Sequence, residues 1–243
     1  MNEKLSVICA FAMVCVIACK KQDQPVTNNT TATNKVKKYT SENITSTSHT
    51  FDTFNISYDS QERILSIIGK NSRSNYQYSN GYYAIDTYDG TVLRSHQGFY
   101  INSNSLVDSS IEVSNIVGHQ TAKYYYNAAG KPELIKYYSG SDNHYFFYNS
   151  NDDLSDEIVK DIAGATKYSF QYGHSGIEGI NPFPELYFRE KSKHLVTSMT
   201  LLNPSGTSST TNFSYTLDSI NRITSQTAFH PSSPPHSIIK YFY

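Results

Sequence analysis

The residues of this chain best suited to chemistry are four carboxylates that lie close together. They are Asp152, Asp153, Asp156 and Glu157, within the stretch from Asn149 to Glu157. Carboxylate oxygens are the ligands that calcium prefers, and spacing of this kind could hold that ion. The stretch lacks both the ligands at every second position and the glycine that are typical of an EF-hand loop. A solvated hairpin turn is therefore the competing interpretation.

Other catalytic patterns are missing from the sequence. The eight histidines are spread singly, without the HExxH or HxH spacing of a zinc site. Residues 173–176 read Gly-His-Ser-Gly, one residue short of a GxSxG nucleophile motif, and residues 130–131 lack the upstream glycine of a P-loop. We therefore expect no enzyme activity, no cofactor and no metal. An envelope enzyme would need a buried carboxylate pair or a His–Asp contact in one cleft.

Residues 1–18 are typical of a bacterial signal peptide. Lys4 precedes fourteen almost wholly apolar residues, too few to span a hydrocarbon core of ~30 Å as a helix. The segment ends Val-Ile-Ala-Cys, and small residues before a cysteine resemble a lipobox. This resemblance implies cleavage before Cys19 and lipid attachment to it. Because Cys9 and Cys15 would leave with the leader, the mature chain could form no disulfide.

The residues after Cys19 predict a location and a tether. The residue after the cysteine is Lys20 rather than Asp. This resembles the sorting signal of Gram-negative lipoproteins that are sent to the outer membrane. The resemblance implies a protein anchored in the outer membrane that faces either the periplasm or the cell surface. Residues 19–38 read as the lipidated cysteine and a flexible tether rich in Thr, Asn and Gln. Residues 39–243 read as one folded domain. A net charge of -1 without a basic stripe argues against nucleic-acid binding. The expected partners are the membrane, through the lipid, and a protein or glycan.

The folded domain is predicted from a repeated β-hairpin. The chain holds 21 Tyr and 12 Phe, and aromatic and β-branched residues alternate with polar ones, as in Phe54 to Tyr58. This alternation predicts antiparallel strands with one wet face. Tyrosines at the predicted strand ends recur with regular spacing: Tyr58, Tyr78, Tyr100, Tyr126, Tyr148, Tyr172 and Tyr215.

Each hairpin turn needs a residue with positive φ, which Gly adopts freely and Asn or Asp tolerate. We assign this role to Gly81, Asn104, Gly130, Asp152 and Asn221. In the first copy, Glu62 occupies the position. A positive φ would cost Glu on the order of 1 kcal/mol, so we expect that turn to have another geometry.

The expected fold is all-β. It is an antiparallel meander of repeated hairpins, strongly curled or barrel-like, closed or half-open, with roughly 12 to 16 strands. The segment Gly173 to His194 contains three Gly and two Pro, so it should cap one end of the sheet or form a binding loop. A transmembrane barrel is a further alternative, although a Tyr/Phe face is not the Leu/Val band that lipid requires.

The hairpins also resemble a known repeat. The pattern Tyr58-Asp59 followed by Arg63, echoed by Tyr126-Asn127 followed by Lys131, resembles the YD repeat of Rhs-type proteins. The chain after the tether is similar to Bacteroidota outer-membrane or surface lipoproteins built from such hairpins. This resemblance implies a curled meander with a structural or binding role and no catalytic residues. Ser219 lies in Asp-Ser-Ile, which resembles the O-glycosylation sequon of Bacteroidota envelope proteins.

Two further functions remain open from the sequence. A glycan- or peptide-binding module would use exposed Tyr and Phe, because sugar rings stack on aromatic faces. The absence of Trp weakens that interpretation, and Tyr at regular spacing is also what sheet packing requires. We call the regularly spaced tyrosines, from Tyr58 to Tyr215, the tyrosine ladder. If these side chains prove buried, the main observation behind the glycan hypothesis is removed. The other open function is an envelope enzyme.

Overall fold

The structure, a computed structural model, describes residues 35–45, 47–115, 118–138, 142–178, 192–231 and 236–243. Cys19 and the tether up to residue 34 lie outside these ranges, as does the central part of the segment from Gly173 to His194. The predicted lipidation therefore stays a prediction from the sequence.

Sixteen β-strands make up the described part of the chain. Within that part there is no helix long and apolar enough to cross a membrane. The strands are β1 (Lys38–Ile44), β2 (His49–Tyr58), β3 (Ile64–Ile68), β4 (Ser72–Ser79), β5 (Tyr82–Asp89), β6 (Val92–Ile101), β7 (Val107–Ser114), β8 (Gly118–Tyr126), β9 (Pro132–Tyr137), β10 (Asn143–Tyr148), β11 (Leu154–Lys160), β12 (Thr166–His174), β13 (Val196–Leu202), β14 (Ser208–Leu217), β15 (Ile223–Phe229) and β16 (His236–Phe242).

The strands form one closed antiparallel barrel. Each strand pairs with the next in sequence, and β1 pairs with β16, with Lys38 opposite Phe242 and Ile44 opposite His236. The all-β hairpin meander is thereby confirmed, and the sheet closes. Val36 is fully buried, so the packed domain starts slightly before the boundary expected at residue 39.

Alternate residues of each strand point to the two sides of the barrel. We call the side that carries the buried cluster around Tyr83, Phe99 and Ile135 the lumen face, and the other side the outer face. The ladder tyrosines other than Tyr100 belong to the lumen side and pack against this cluster: Tyr58, Tyr78, Tyr126, Tyr148, Tyr172 and Tyr215. The ladder is therefore core, and the glycan hypothesis that relied on its exposure loses its basis.

Five hairpin turns share one geometry at the end of the barrel that we call the tyrosine end. In each, the first Asp or Asn accepts hydrogen bonds from the backbone N–H groups two and four residues later. Asn127, for example, accepts from Ala129 and Lys131 at 3.0 Å each. The equivalent residues are Asp59, Asn102, Asn149 and Asp218. The residue at the fourth turn position has a φ between 61° and 73°: Glu62, Ser105, Gly130, Asp152 and Asn221.

Two sequence-based turn assignments are wrong. Ser105, not Asn104, has the positive φ, because this turn begins at Asn102, one residue later than the spacing from Tyr100 predicts. Ile101 therefore takes the lumen position, and Tyr100 lies on the outer face, 49% exposed. Glu62 was expected to sit in a different kind of turn, but its φ is 61°. The hydrogen bonds to Asp59 hold that turn in the common geometry despite the unfavourable φ.

Each hairpin at the tyrosine end is tied to its neighbour. The Tyr126 hydroxyl donates to the Val107 carbonyl at 2.7 Å, and four other tyrosines make the same kind of bond: Tyr58, Tyr148, Tyr215 and Tyr243. The basic residue after a turn stacks over the tyrosine of the next hairpin. Arg63 lies 4.3 Å from the centre of the Tyr78 ring, and Arg222 lies 4.2 Å from that of Tyr243.

Candidate functional site

A cleft of about 170 Å³ opens on the lumen side of β6, β7, β8 and β9. Gln97, Glu112 and Gln120 lie side by side in it, because their three strands pair in one register. Each side chain is half-buried. The row presents one carboxylate between two amides, and all three groups carry oxygens that can accept hydrogen bonds.

The rest of the cleft is aromatic and aliphatic. Phe99, Tyr124 and Tyr137 line it together with Ala122 and Ile135. The hydroxyls of Ser110 and Tyr124 lie 3.2 Å apart on the same wall. The cleft therefore sets a short polar row against an apolar wall, the usual composition of a small-molecule site.

The carboxylates of the lumen differ in their surroundings. Glu157 is buried; its Oε1 lies 2.6 Å from Nδ1 of His144, and its Oε2 accepts a bond from the Tyr172 hydroxyl at 2.9 Å. Glu112 makes no hydrogen bond or ion pair with any described residue. None of the described residues lining its cleft is Lys, Arg or His. Glu112 is thus a half-buried charge without a counter-ion within the described part of the chain, an arrangement that costs free energy unless a ligand compensates it.

A second polar cluster lies at the tyrosine end, where β11 begins and β12 ends. Asp153, only 1% exposed, accepts a bond from the His194 backbone N–H at 2.7 Å, and its Oδ2 lies 2.8 Å from Nδ1 of His194. Nε2 of His174 lies 3.1 Å from the Ser192 hydroxyl, which accepts a bond from the Leu154 N–H at 3.0 Å. The cluster fastens the two described ends of the irregular segment to the barrel.

This cluster contains a His–Asp contact of the kind that an enzyme would need, but the contacts do not form a catalytic relay. Asp153 orients His194, whereas the serine contacts His174, so no serine–histidine–aspartate chain results. Burial raises the pKa of the Asp153 carboxyl, but the hydrogen bonds from His194 outweigh burial and hold that pKa below its usual value. Burial also lowers the pKa of His174, despite the attraction of Asp153. These contacts stabilise the tyrosine end of the barrel.

The four carboxylates considered for calcium point in different directions. Asp152 pairs with Lys131 at 3.2 Å, Asp153 with His194, and Glu157 with His144. Asp156 lies on the outer face, opposite Gln171. Among the described residues, no group of three or more His, Cys, Asp or Glu is placed to hold a metal ion. The structure therefore does not bring the predicted calcium ligands together.

The other predicted positions lie at turns. Gly81, Gly130, Asp152 and Asn221 have positive φ. Ser219 is exposed in the turn that Asp218 and Arg222 close with a 2.6 Å bond. The segment between β12 and β13 leaves and re-enters the barrel at the tyrosine end, where Leu195 packs against the core. Its residues 179–191 lie outside the described part of the chain.

Sequence reasoning missed Glu112, Gln97 and Gln120. In β7, Ile111 and Val113 alternate with Glu112, and the apolar pair would ordinarily be assigned to the interior. The structure has the opposite arrangement, with Val113 on the outer face, 47% exposed. No spacing in the sequence signals this reversal. The structure shows that Ile111 lies opposite Gly98, where the Tyr82 side chain fills the space beside the glycine.

Similarity to solved structures extends over most of the barrel. A porin-like protein from Bacteroides uniformis aligns with a TM-score of 0.61 at 13% identity, covering 85% of this chain and 97% of that one. A porin-like protein from Bacteroides vulgatus aligns with a TM-score of 0.57 at 11% identity, covering 86% and 98%. At such identities the likeness establishes the barrel fold alone. No protein-family model and no curated protein sequence matches the chain.

Proposed function

We propose that this protein is a non-enzymatic outer-membrane lipoprotein, anchored through Cys19, whose barrel stands in water beside the bilayer and acts as a binding module. The observation that carries the proposal is the polarity of the outer face. One row of paired residues crosses five strands, from β2 to β6, and is polar throughout: Ser57, Ser66, Asn75, Asp86 and His96. The Asp86 carboxylate lies 2.6 Å from Nδ1 of His96 at the end of that row.

Charges continue around the outer face. It carries Arg73, Lys123, Lys136, Lys160 and Lys240, at positions set by the strand register. A bilayer-spanning barrel needs an apolar band about 25 Å tall, and each Lys or Arg at its middle costs roughly 2–4 kcal/mol. The buried apolar cluster lies on the lumen side. The outer face also exposes apolar side chains such as Val113, Tyr125 and Phe147. It shares them with these charges, as where Lys123 lies two residues from Tyr125 on β8, so the barrel suits water on its outside. The YD-like hairpins and the lipobox of the leader support the same envelope assignment.

A bilayer-spanning pore is the second candidate, and the likeness to porin-like proteins of the same fold favours it. The two functions differ in what holds the barrel to the membrane. In the first, the tether from Cys19 is the sole attachment. In the second, the outer face of the barrel is itself embedded.

Cutting the tether separates these functions. A specific protease site inserted between Thr30 and Thr31 would be cleaved in isolated outer membranes, with the uncut protein as control. We expect the barrel to be released in a soluble, β-rich form. Retention of the cut barrel in the membrane would contradict the proposal and favour the spanning pore.

The anchor is tested by Cys19→Ala. We expect this variant to lose both palmitate labelling and membrane association while its barrel still folds. A variant that remains labelled and membrane-bound would contradict lipidation at this residue.

A further inference from the structure

We propose that the lumen cleft between β6 and β9 binds a primary ammonium group carried on a short apolar stem, with Glu112 as its counter-ion. The inference rests on the binding role proposed above and names the ligand class and the site. A free alkylamine and a lysine side chain share this chemistry.

The charge of the cleft argues for a cationic ligand. Glu112 is half-buried without a hydrogen bond or ion pair from any described residue, while Glu157, on the same side of the barrel, has both oxygens engaged. A neutral ligand would leave the Glu112 charge uncompensated, and an anion would be repelled. A cation offsets the cost of this half-buried charge.

The oxygen atoms that the cleft presents favour an ammonium group over a metal ion as the ligand. An ammonium group has three N–H donors and no acceptor, and the row offers acceptor oxygens on Glu112, Gln97 and Gln120. Calcium would need about six to eight oxygen ligands, more than these three side chains provide. Phe99, Tyr124 and Tyr137 line the same cleft, and aromatic faces attract an ammonium group further.

The size and the apolar wall argue for a small ligand with a short stem. The cleft holds about 170 Å³, below the roughly 300–1,000 Å³ of sites for drug-sized ligands. Ala122, Ile135 and Phe99 lie beside the polar row and would cover methylene groups. The wall thus selects an amine with an apolar stem over ammonia or a hydrophilic polyamine.

The test is calorimetric titration of the detergent-purified full-length protein with pentylammonium chloride, and separately with Nα-acetyl-lysine amide to distinguish a free amine from a lysine side chain. We expect pentylammonium to bind, and its neutral counterpart 1-pentanol to bind at least about tenfold more weakly, because the alcohol has no charge to pair with Glu112 and one hydroxyl donor in place of three N–H donors. Equal binding of 1-pentanol, or binding of glucose but not of either amine, would overturn the proposal. This comparison needs no variant.

Glu112→Gln keeps the shape of the side chain and removes its charge. We expect its dissociation constant for pentylammonium to rise at least about tenfold. The matched control is Glu133→Gln, which makes the same change at an exposed position of β9 and should bind as the wild type does. Circular dichroism of both variants checks the fold. Unchanged binding by a folded Glu112→Gln variant would overturn the proposal, whereas the anchoring of the protein is tested separately by tether cleavage.

Discussion

Glu62 and Gly130 occupy the same position in two hairpins, and only one of them suits its backbone. Both have positive φ, 61° and 73°. Gly130 adopts this conformation without steric cost, whereas the Cβ of Glu62 approaches the following carbonyl. The backbone carbonyl of Glu62 accepts a hydrogen bond from the Lys35 ammonium. Because this contact uses the backbone and not the side chain of residue 62, a substitution that relieves the strain would keep the hydrogen bond from Lys35.

We expect Glu62→Gly to raise the free energy of unfolding by about 0.5–1 kcal/mol, since the relief of strain exceeds the added backbone entropy. Gly130→Ala should lower it by about 1 kcal/mol for the converse reason. Urea unfolding followed by circular dichroism measures both. Gln61→Gly, one residue away, is the control and should bring no gain. An unchanged or lowered stability of Glu62→Gly would contradict the strain.

The second residue-scale consequence concerns His174 and Asp153. The pKa of His174 is lowered in the folded protein by burial, so the unfolded chain takes up this proton first as the pH falls below about 6.5. Stability is therefore lost as the pH falls through that range. The pKa of Asp153 is also lowered. Its contribution is present above about pH 3.9 and is lost as the pH falls further.

We expect wild-type protein to lose stability between pH 7 and the pKa of folded His174, and His174→Gln to lose less over the same interval. Urea midpoints at a series of pH values measure this difference. His119→Gln changes an exposed histidine of β8 and serves as the control, with the wild-type pH dependence retained. If both variants follow the wild-type curve, His174 does not contribute to the loss of stability at lower pH.

At the scale of the elements, the hairpins are joined by tyrosine hydroxyls and basic side chains. The Tyr126 hydroxyl, on β8, reaches back to the Val107 carbonyl on the neighbouring β7. Burial raises the pKa of that hydroxyl well above its usual value, so it stays protonated and keeps donating its hydrogen bond. Lys131, in the turn that follows, stacks 4.8 Å from the Tyr148 ring and donates to the Asp152 carbonyl. Each hairpin is thus bonded to the one before it and stacked on the one after it.

We expect Tyr126→Phe to lower the free energy of unfolding by about 1 kcal/mol, because the Val107 carbonyl loses its donor. Tyr100→Phe makes the same change on the outer face and should leave stability within about 0.5 kcal/mol of wild type. Thermal or urea unfolding compares the two. Equal losses would contradict the different positions of the two tyrosines, Tyr126 on the lumen face and Tyr100 on the outer face.

The hairpins were predictable because their tyrosines and turn residues are local signals. Asp59, Asn127 and Asn149 each begin a turn whose hydrogen bonds lie within five residues. The facing of individual residues was less predictable, because a β-bulge adds one residue and reverses the alternation. Glu112 was missed for this reason, because the register shift opposite Tyr100 and Ile101 places one extra residue in β7. Tyr100 was misplaced because its turn begins at Asn102, one residue later than the tyrosine spacing predicts. The cleft brings together four strands, and no spacing in the sequence shows their register.

At the scale of the whole molecule, closure removes both edges of the sheet. The seam between β1 and β16 is held by seven register pairs, and Tyr39 and Tyr241 meet there with ring centres 6.3 Å apart. Tyr241 is buried and Tyr39 packs against the core. The seam is thus built like the other strand pairs, although its two strands lie at opposite ends of the chain.

We expect truncation before His236 to leave β1 and β15 as open edges, and exposed edges pair with other chains. The truncated protein should therefore form oligomers or aggregates at concentrations where the full chain is monomeric. Size-exclusion chromatography with light scattering in the same detergent measures this outcome. A monomeric truncated chain with an unchanged β spectrum would show that the seam is dispensable.

The seam also sets an order in time. Every other strand pair joins neighbours in sequence, so fourteen hairpins and the β12–β13 pair can assemble as the chain emerges. The Lys37 N–H, however, bonds to the Phe242 carbonyl, and β1 has no second partner until the last residues arrive. The free edge of β1 must wait for the whole chain, so the final step of folding is the one with the longest loop to close.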